Sequence, residues 1–204
     1  MEGFFDECHD SLCQIMEALA TGLGLAPRSL AAMHSSKNHE LRLLCYPEAD
    51  ARLLDGSRLR IAEHTDFGSV TLLFQDNIGG LEIETQAGVV ERSNARQFRA
   101  VTDATPVMIV NIGDSLERWT NSTLRAVVHR VSKPGLQRAK EAASGGDVDF
   151  DTMLPKRQSI AFFAKPNRDI SLLPLPHFVR DRTALWKEDM TAHAYNQSKL
   201  VRTF

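Results

Sequence analysis

Between Leu41 and Ala164 the chain is broken into short β-type runs, LRLLCYP, RLRIAEHTD, SVTLLFQD, GGLEIET, GVVERS, PVMIVNIGD, LRAVVHRV and SIAFFAKP, separated by Gly, Asp and Asn. Runs of this length bounded by turn formers read as strands. Many short strands at close, even spacing, with no alternating strand and helix pattern, predict a sandwich, barrel or jelly roll and not a doubly wound sheet. The fold class is therefore mainly β.

The flanks have a different period. In FFDECHDSLCQIMEALATGLGL, Phe5, Cys8, Leu12, Ile15, Met16 and Leu19 recur at helical spacing, and Gly22 and Gly24 end the pattern. This predicts an N-terminal helix, within a segment spanning residues 1–40, that packs on a β core spanning 41–204. The closing stretch RTALWKEDMTAHAYNQSKL reads as a C-terminal helix against the outside of that core. From Lys133 to Lys156 the chain is polar, Gly-centred and without β pattern, which reads as a long loop.

A length of 204 residues suits one well-filled core. A formal charge of −2, with Lys and Arg scattered, provides no basic field for a phosphate backbone, so nucleic acid is not expected as a partner. No apolar run is long enough for a membrane-spanning helix, and the N-terminus carries Glu2, Asp6 and Glu7 in place of an apolar leader. The three cysteines, Cys8, Cys13 and Cys45, have neither metal nor disulfide spacing and read as reduced core thiols of a cytoplasmic protein.

The chemistry-bearing residues lie in the β region. In an extended strand, side chains two positions apart share a face, so His64 and Asp66 of HTD offer two metal ligands together. That pattern is cheap by itself and needs a third ligand. His129, on the separate run LRAVVHRV, supplies one, although alone it also fits a hydrogen-bonded core histidine. Two imidazoles and one carboxylate on one face form the triad that suits non-haem Fe(II) and leaves positions open. Arg157 and Ser159 in RQSIAFF again stand two apart and present a guanidinium fork and a hydroxyl, a combination that grips a carboxylate; alone, Arg157 fits a surface residue at a strand start equally well.

Together the segments LRLLCYP, HTDFGSVTLLFQDNIGGLEIE, NIGDSLERWTNSTLRAVVHRV and RQSIAFFAKPN make the chain resemble the iron- and 2-oxoglutarate-dependent oxygenase family, which includes isopenicillin N synthase and the plant hormone and flavonoid oxygenases. The resemblance runs from about Leu41 to Asn167. It implies a distorted double-stranded β-helix, or jelly roll, with the flanking helices outside. It implies His64, Asp66 and His129 as ligands of Fe(II), and Arg157, Ser159 and Tyr46 as residues that hold 2-oxoglutarate. It further implies O2 as oxidant, 2-oxoglutarate decarboxylation to succinate and carbon dioxide, and hydroxylation, desaturation or cyclisation of a small organic molecule of specialised metabolism. Leu44 departs from the pattern, since many members carry Asn two residues before the tyrosine. Members also carry a domain-sized region ahead of the first helix, and its absence here would expose surface for self-association. Two alternatives stay open: an oxidase that, like isopenicillin N synthase, works without 2-oxoglutarate, and a catalytically silent β-helix binding module.

Overall fold

The computed structural model describes residues 1–54, 58–85, 97–101, 107–133, 153–179 and 183–203. The apolar stripe of the N-terminal segment forms α1 (Glu2–Gly22). The helix stops where Gly24 enters the left-handed region at φ 72°, with Leu25 N–H donating to Ala20 O at 2.8 Å and Gly24 N–H to Thr21 O at 3.1 Å. Glycine adopts this geometry without a Cβ penalty, so the stop is written in the sequence. A single short turn, α2 (Ser29–Ala32), leads into the β region.

Two antiparallel four-stranded sheets make the core. The larger runs β1 (Glu40–Tyr46), β10 (Arg157–Ala164), β4 (Val70–Gln75) and β7 (Ile109–Ile112); the smaller runs β3 (Ile61–His64), β8 (His129–Val131), β5 (Leu81–Glu84) and β6 (Phe98–Ala100). A short pair, β2 (Ala49–Asp50) with β9 (Met153–Leu154), stands beside them. Sequence neighbours are mostly not sheet neighbours: the chain passes back and forth between the sheets, as a double-stranded β-helix requires.

Alternation along β4 and β10 divides the interior. Val70, Leu72, Phe162 and Ala164 face outwards into a core with Cys8, Leu12, Met16 and Ala20 of α1, while Thr71, Leu73, Ser159 and Ala161 face inwards and line a cavity between the sheets. Burying Leu12 and Met16 completely contributes about 1.5–3 kcal/mol each. Helix α3 (Asp114–Trp119) follows β7 and seats Trp119 fully buried, its indole N–H donating to Ser171 O at 2.9 Å. Helix α4 (Ala192–Thr203) docks beside it, with Tyr195 Oη donating to Asp114 Oδ2 at 2.6 Å.

Four expectations need correction. The closing helix begins at Ala192 and not near Arg182, because the segment before it is held extended: Leu172 N–H donates to Met190 O, Ser171 bridges Thr191, and Ser171 Oγ donates to Asp189. The strand bearing His129 is only three residues long. Cysteine burial is uneven, since Cys8 is buried but Cys13 only partly so, and Cys45 is exposed on the outer side of β1. The fourth concerns the strand bearing His64, which ends at His64 and does not include Asp66. The GVVERS run and residues 134–152 of the long polar stretch lie outside the described residues; of that stretch, Met153–Leu154 is strand, not loop.

Candidate metal centre and carboxylate pocket

His64 closes β3 and His129 opens β8, and the two are direct partners across the antiparallel ladder. Their rings therefore lie side by side, with centroids 4.3 Å apart. Asp66 joins them from the turn beyond β3, so it reaches the histidines through a bend in the chain and not through strand alternation. Its Oδ1 lies 3.8 Å from His64 Nε2 and 3.6 Å from His129 Nε2. One ligand atom from each residue lies within 4.8 Å of the others, and among the described residues this is the one group of three such side chains with metal-holding geometry.

Hydrogen bonds fix which atoms face the shared space. His64 Nδ1 lies 2.8 Å from Ala62 O and His129 Nδ1 lies 3.0 Å from Val127 O. A carbonyl only accepts, so both Nδ1 atoms carry the proton and both Nε2 lone pairs point free into the cluster. Burial, and then the neighbouring His129 ring, pull the His64 pKa below its ordinary value, which favours the neutral, ligating form. Asp66 Oδ2 is occupied, accepting from Thr71 Oγ1 at 2.6 Å and Asn111 Nδ2 at 2.8 Å. That leaves Oδ1 for a cation. Two neutral imidazoles and one carboxylate oxygen form a donor set that fits Fe(II) and leaves coordination positions open.

The turn carrying Asp66 is clamped by backbone. Asp66 O accepts from Asp114 N–H at 2.8 Å, Gly68 O from Ser115 N–H at 3.0 Å, and Phe67 O from Ser115 Oγ at 2.8 Å. A Cβ on Gly68 would collide with Ala164 O, and one on Gly113 with Gly68 O. Glycine is required at both positions for close approach of the chains.

Across the same cavity stand the carboxylate-binding candidates. Tyr46 pairs with Arg157, and Leu44 with Ser159, in the β1–β10 register, so all four side chains line the cavity together with the His–Asp–His group. Arg157 is no surface residue: 1% of it is exposed. Its Nε donates to Gly79 O at 3.0 Å, Nη1 to Ser159 Oγ at 3.3 Å and Nη2 to Gln75 Oε1 at 2.7 Å, and its Cζ lies 5.0 Å from the Tyr46 ring centroid. Every one of these partners is neutral. Leu44 lines the cavity where an amide would offer a polar contact, and Ile61, Leu81, Ile83 and Val131 make the opposite wall apolar.

All six sequence-derived site residues thus meet in one cavity. Sequence reasoning missed Thr71, Asn111 and Gln75. Alternation places Thr71 and Gln75 on the inner face of β4, and Asn111 is the sole amide in the otherwise apolar run MIVNI, a signal that could have marked it.

A double-stranded β-helix that encloses two imidazoles, one carboxylate and a buried guanidinium defines the non-haem iron oxygenase class. Comparison with known proteins agrees. Residues 37–166 match the model of the 2OG-Fe(II) oxygenase superfamily. The chain is 40% identical over 205 residues to the proline hydroxylase buaE of Petromyces alliaceus, covering 100% of this chain and 59% of that protein. It is 41% identical over 206 residues to the 2-oxoglutarate-dependent dioxygenase frbA of Dothideomycetidae sp. (strain 11243), covering 100% and 57%. The crystal structure of a full-length Neurospora crassa protein in complex with alpha-KG superposes with a TM-score of 0.80 at 31% identity, covering 99% of this chain and 56% of that one. The chain belongs to the 2OG-Fe(II) oxygenase superfamily. It spans 59% and 57% of the lengths of these two curated relatives. Among the described residues no helix is long and apolar enough to cross a membrane.

Proposed function

We propose that the protein is a non-haem Fe(II) oxygenase that couples decarboxylation of 2-oxoglutarate by O2 to oxidation of a small organic molecule. The observation that carries this reading is the arrangement of His64 Nε2, His129 Nε2 and Asp66 Oδ1, each left without a competing hydrogen bond by partners on its other heteroatom. These three atoms hold Fe(II). Thr71 and Asn111 keep the Asp66 carboxylate from rotating, so that Oδ1 stays presented. Bound iron supplies the oxygen chemistry that no side chain here possesses. Arg157 takes the distal carboxylate of 2-oxoglutarate in a charge-assisted contact, Ser159 adds its hydroxyl, and the Tyr46 ring covers the guanidinium. Leu44 contributes packing only. Apolar side chains on the facing wall exclude water from the reacting carbon.

The names of the relatives, a proline hydroxylase and a 2-oxoglutarate-dependent dioxygenase, favour a 2-oxoglutarate-coupled reaction over the oxidase that dispenses with 2-oxoglutarate and over a silent module, and a substrate from specialised metabolism belongs to the same proposal. A cytoplasmic setting belongs to the same proposal and is supported by three free thiols, Cys8, Cys13 and Cys45. So does self-association through the outer side of the larger sheet, where Leu43 is 60% and Val110 43% exposed. The test is an anaerobic titration with Fe(II) and then 2-oxoglutarate, followed through the visible charge-transfer band, and a substrate screen for succinate release. A band together with substrate-dependent succinate is the expected result. Absence of the band at saturating Fe(II) overturns the assignment, and oxidation independent of 2-oxoglutarate returns the reading to the oxidase.

A further inference from the structure

Asp66 sits on a turn that is held from behind, and the closing helix reaches the residue that holds it. Asp114, whose N–H donates to Asp66 O at 2.8 Å, is itself buried, with 8% exposed. Its Oδ2 accepts from Tyr195 Oη at 2.6 Å and lies 3.2 Å from Lys199 Nζ. Tyr195 and Lys199 stand four positions apart on α4, so one face of that helix presents both. Lys199 Nζ also lies 5.6 Å from the ring centroid of Phe67, the residue after Asp66, and 5.2 Å from that of Tyr195, while Arg118 Cζ lies 5.3 Å from the Tyr195 ring. Burial, followed by the contact with Asp114, pushes the Tyr195 phenol pKa up. The hydroxyl therefore keeps its proton and stays the donor.

Close packing does not fix the turn on this side. A cavity of about 280 Å³ opens where α4 meets it, lined by Phe67, Gly68 and Ser115 of the turn and its clamp and by Ala192, Asn196 and Leu200 of the helix. Walls of a void lack partner atoms and forfeit dispersion contacts, so the polar contacts at Asp114 carry the docking. A buried carboxylate stays where its partners are, because leaving them uncompensated is costly. We propose that Tyr195 and Lys199 are positioning residues for the metal ligand Asp66: by holding the Asp114 carboxylate they fix the backbone N–H that carries Asp66, and the closing helix thereby sets how tightly iron is bound. The inference rests on the reading that His64, Asp66 and His129 hold Fe(II). It goes beyond that reading by placing control of metal affinity in a helix that contributes none of the three ligands.

In the test, Fe(II) is titrated by calorimetry without oxygen onto the unaltered chain and onto Tyr195→Phe, Lys199→Met, the double variant and Leu172→Ala, and the thermal unfolding midpoint of each metal-free chain is measured beside it. Tyr195→Phe removes the hydroxyl and keeps the ring against Lys199 and Arg118. Its iron affinity is expected to fall about three- to tenfold, less than the roughly 10–100-fold that follows loss of a ligand's own hydrogen-bond partner, because the effect passes through one more residue. Lys199→Met is expected to lose about threefold. The double variant should lose less than the product of the two, since both act through Asp114. Leu172→Ala opens a void in the core cluster that includes Ala192 and Tyr195 and leaves both contacts to Asp114 in place, so it lowers the midpoint while iron affinity stays at the level of the unaltered chain. A helix that merely docks would lower midpoints and leave iron affinity alone in every variant. Unchanged iron affinity in whichever of Tyr195→Phe and Lys199→Met folds therefore overturns the proposal, and so does an equal fall in Leu172→Ala. If the unaltered chain binds no Fe(II), the metal reading fails and the proposal falls with it.

Discussion

Thr71 and Asn111 both donate to Asp66 Oδ2, which leaves Oδ1 to face the two histidines. Partners of this kind set the orientation of a metal ligand, and their loss typically lowers metal affinity about 10–100-fold. Asn111→Ala is therefore expected to weaken Fe(II) binding by that order while the fold survives, read by anaerobic metal titration beside circular dichroism. Asp66→Ala should remove iron binding altogether, and iron affinity equal to that of the unaltered chain would take Asp66 out of the ligand set. At the other end of the cavity, Arg157→Lys keeps the charge and discards the fork that reaches Ser159 and Gln75. We expect weaker 2-oxoglutarate binding by about tenfold or more with iron affinity retained. Unchanged 2-oxoglutarate affinity would make Arg157 a structural residue.

At the scale of elements, α1 is pinned to the larger sheet by a histidine cluster as well as by apolar packing. His9 Nδ1 of α1 lies 2.9 Å from His39 Nε2, His39 Nδ1 accepts from Lys165 N–H at 3.2 Å, and His34 Nε2 lies 2.7 Å from Ser69 Oγ. Burial is the main cause that brings the pKa of His34 down to about 4 and that of His39 down to about 3. Both values lie below the ordinary histidine pKa of about 6.5, so the unfolded chain takes up protons first as the pH falls. Stability from this cluster is complete above about pH 6.5 and is lost as acidification proceeds towards the folded values. Allowing for the partial exposure of His39, roughly 2–3 kcal/mol should disappear between pH 7.5 and pH 5. Urea unfolding at the two pH values measures it, and equal midpoints would remove the cluster from the stability of the helix. Leu12→Ala, in the same interface, should cost about 2–5 kcal/mol at either pH.

For the molecule as a whole, the outer side of the larger sheet is only partly covered. Helix α1 shields Val70, Leu72 and Phe162, whereas Leu43 and Val110 on the same side stay exposed at 60% and 43%. If this side associates with a second copy, sedimentation velocity will show a concentration-dependent shift that Leu43→Lys together with Val110→Lys abolishes. A single monomeric boundary at every concentration would sink that expectation.

Local chemistry was sufficient for much of this architecture. Period-two runs marked the strands, the stripe from Phe5 to Leu19 marked α1, and Gly24 marked its end, because each depends on residues adjacent in the chain. Motif order supplied His64, Asp66, His129, Arg157 and Ser159 as one set, and the family resemblance added Tyr46. Where local pattern and long-range contact competed, contact won. The closing helix shortened to Ala192 because Ser171 and Leu172 hold the preceding residues extended. Asp66 left its strand because the backbone of Gly113 to Ser115 draws the turn against Gly68, where no side chain would fit. Which heteroatoms face the metal space was decided by tertiary structure alone, since Ala62 O, Val127 O, Thr71 and Asn111 select them across strands that no spacing connects. The contacts of Tyr195 and Lys199 with Asp114 belong to the same category: their helical spacing is written in the chain, but the carboxylate that Tyr195 meets lies 81 positions earlier and is reached only when distant segments close on each other.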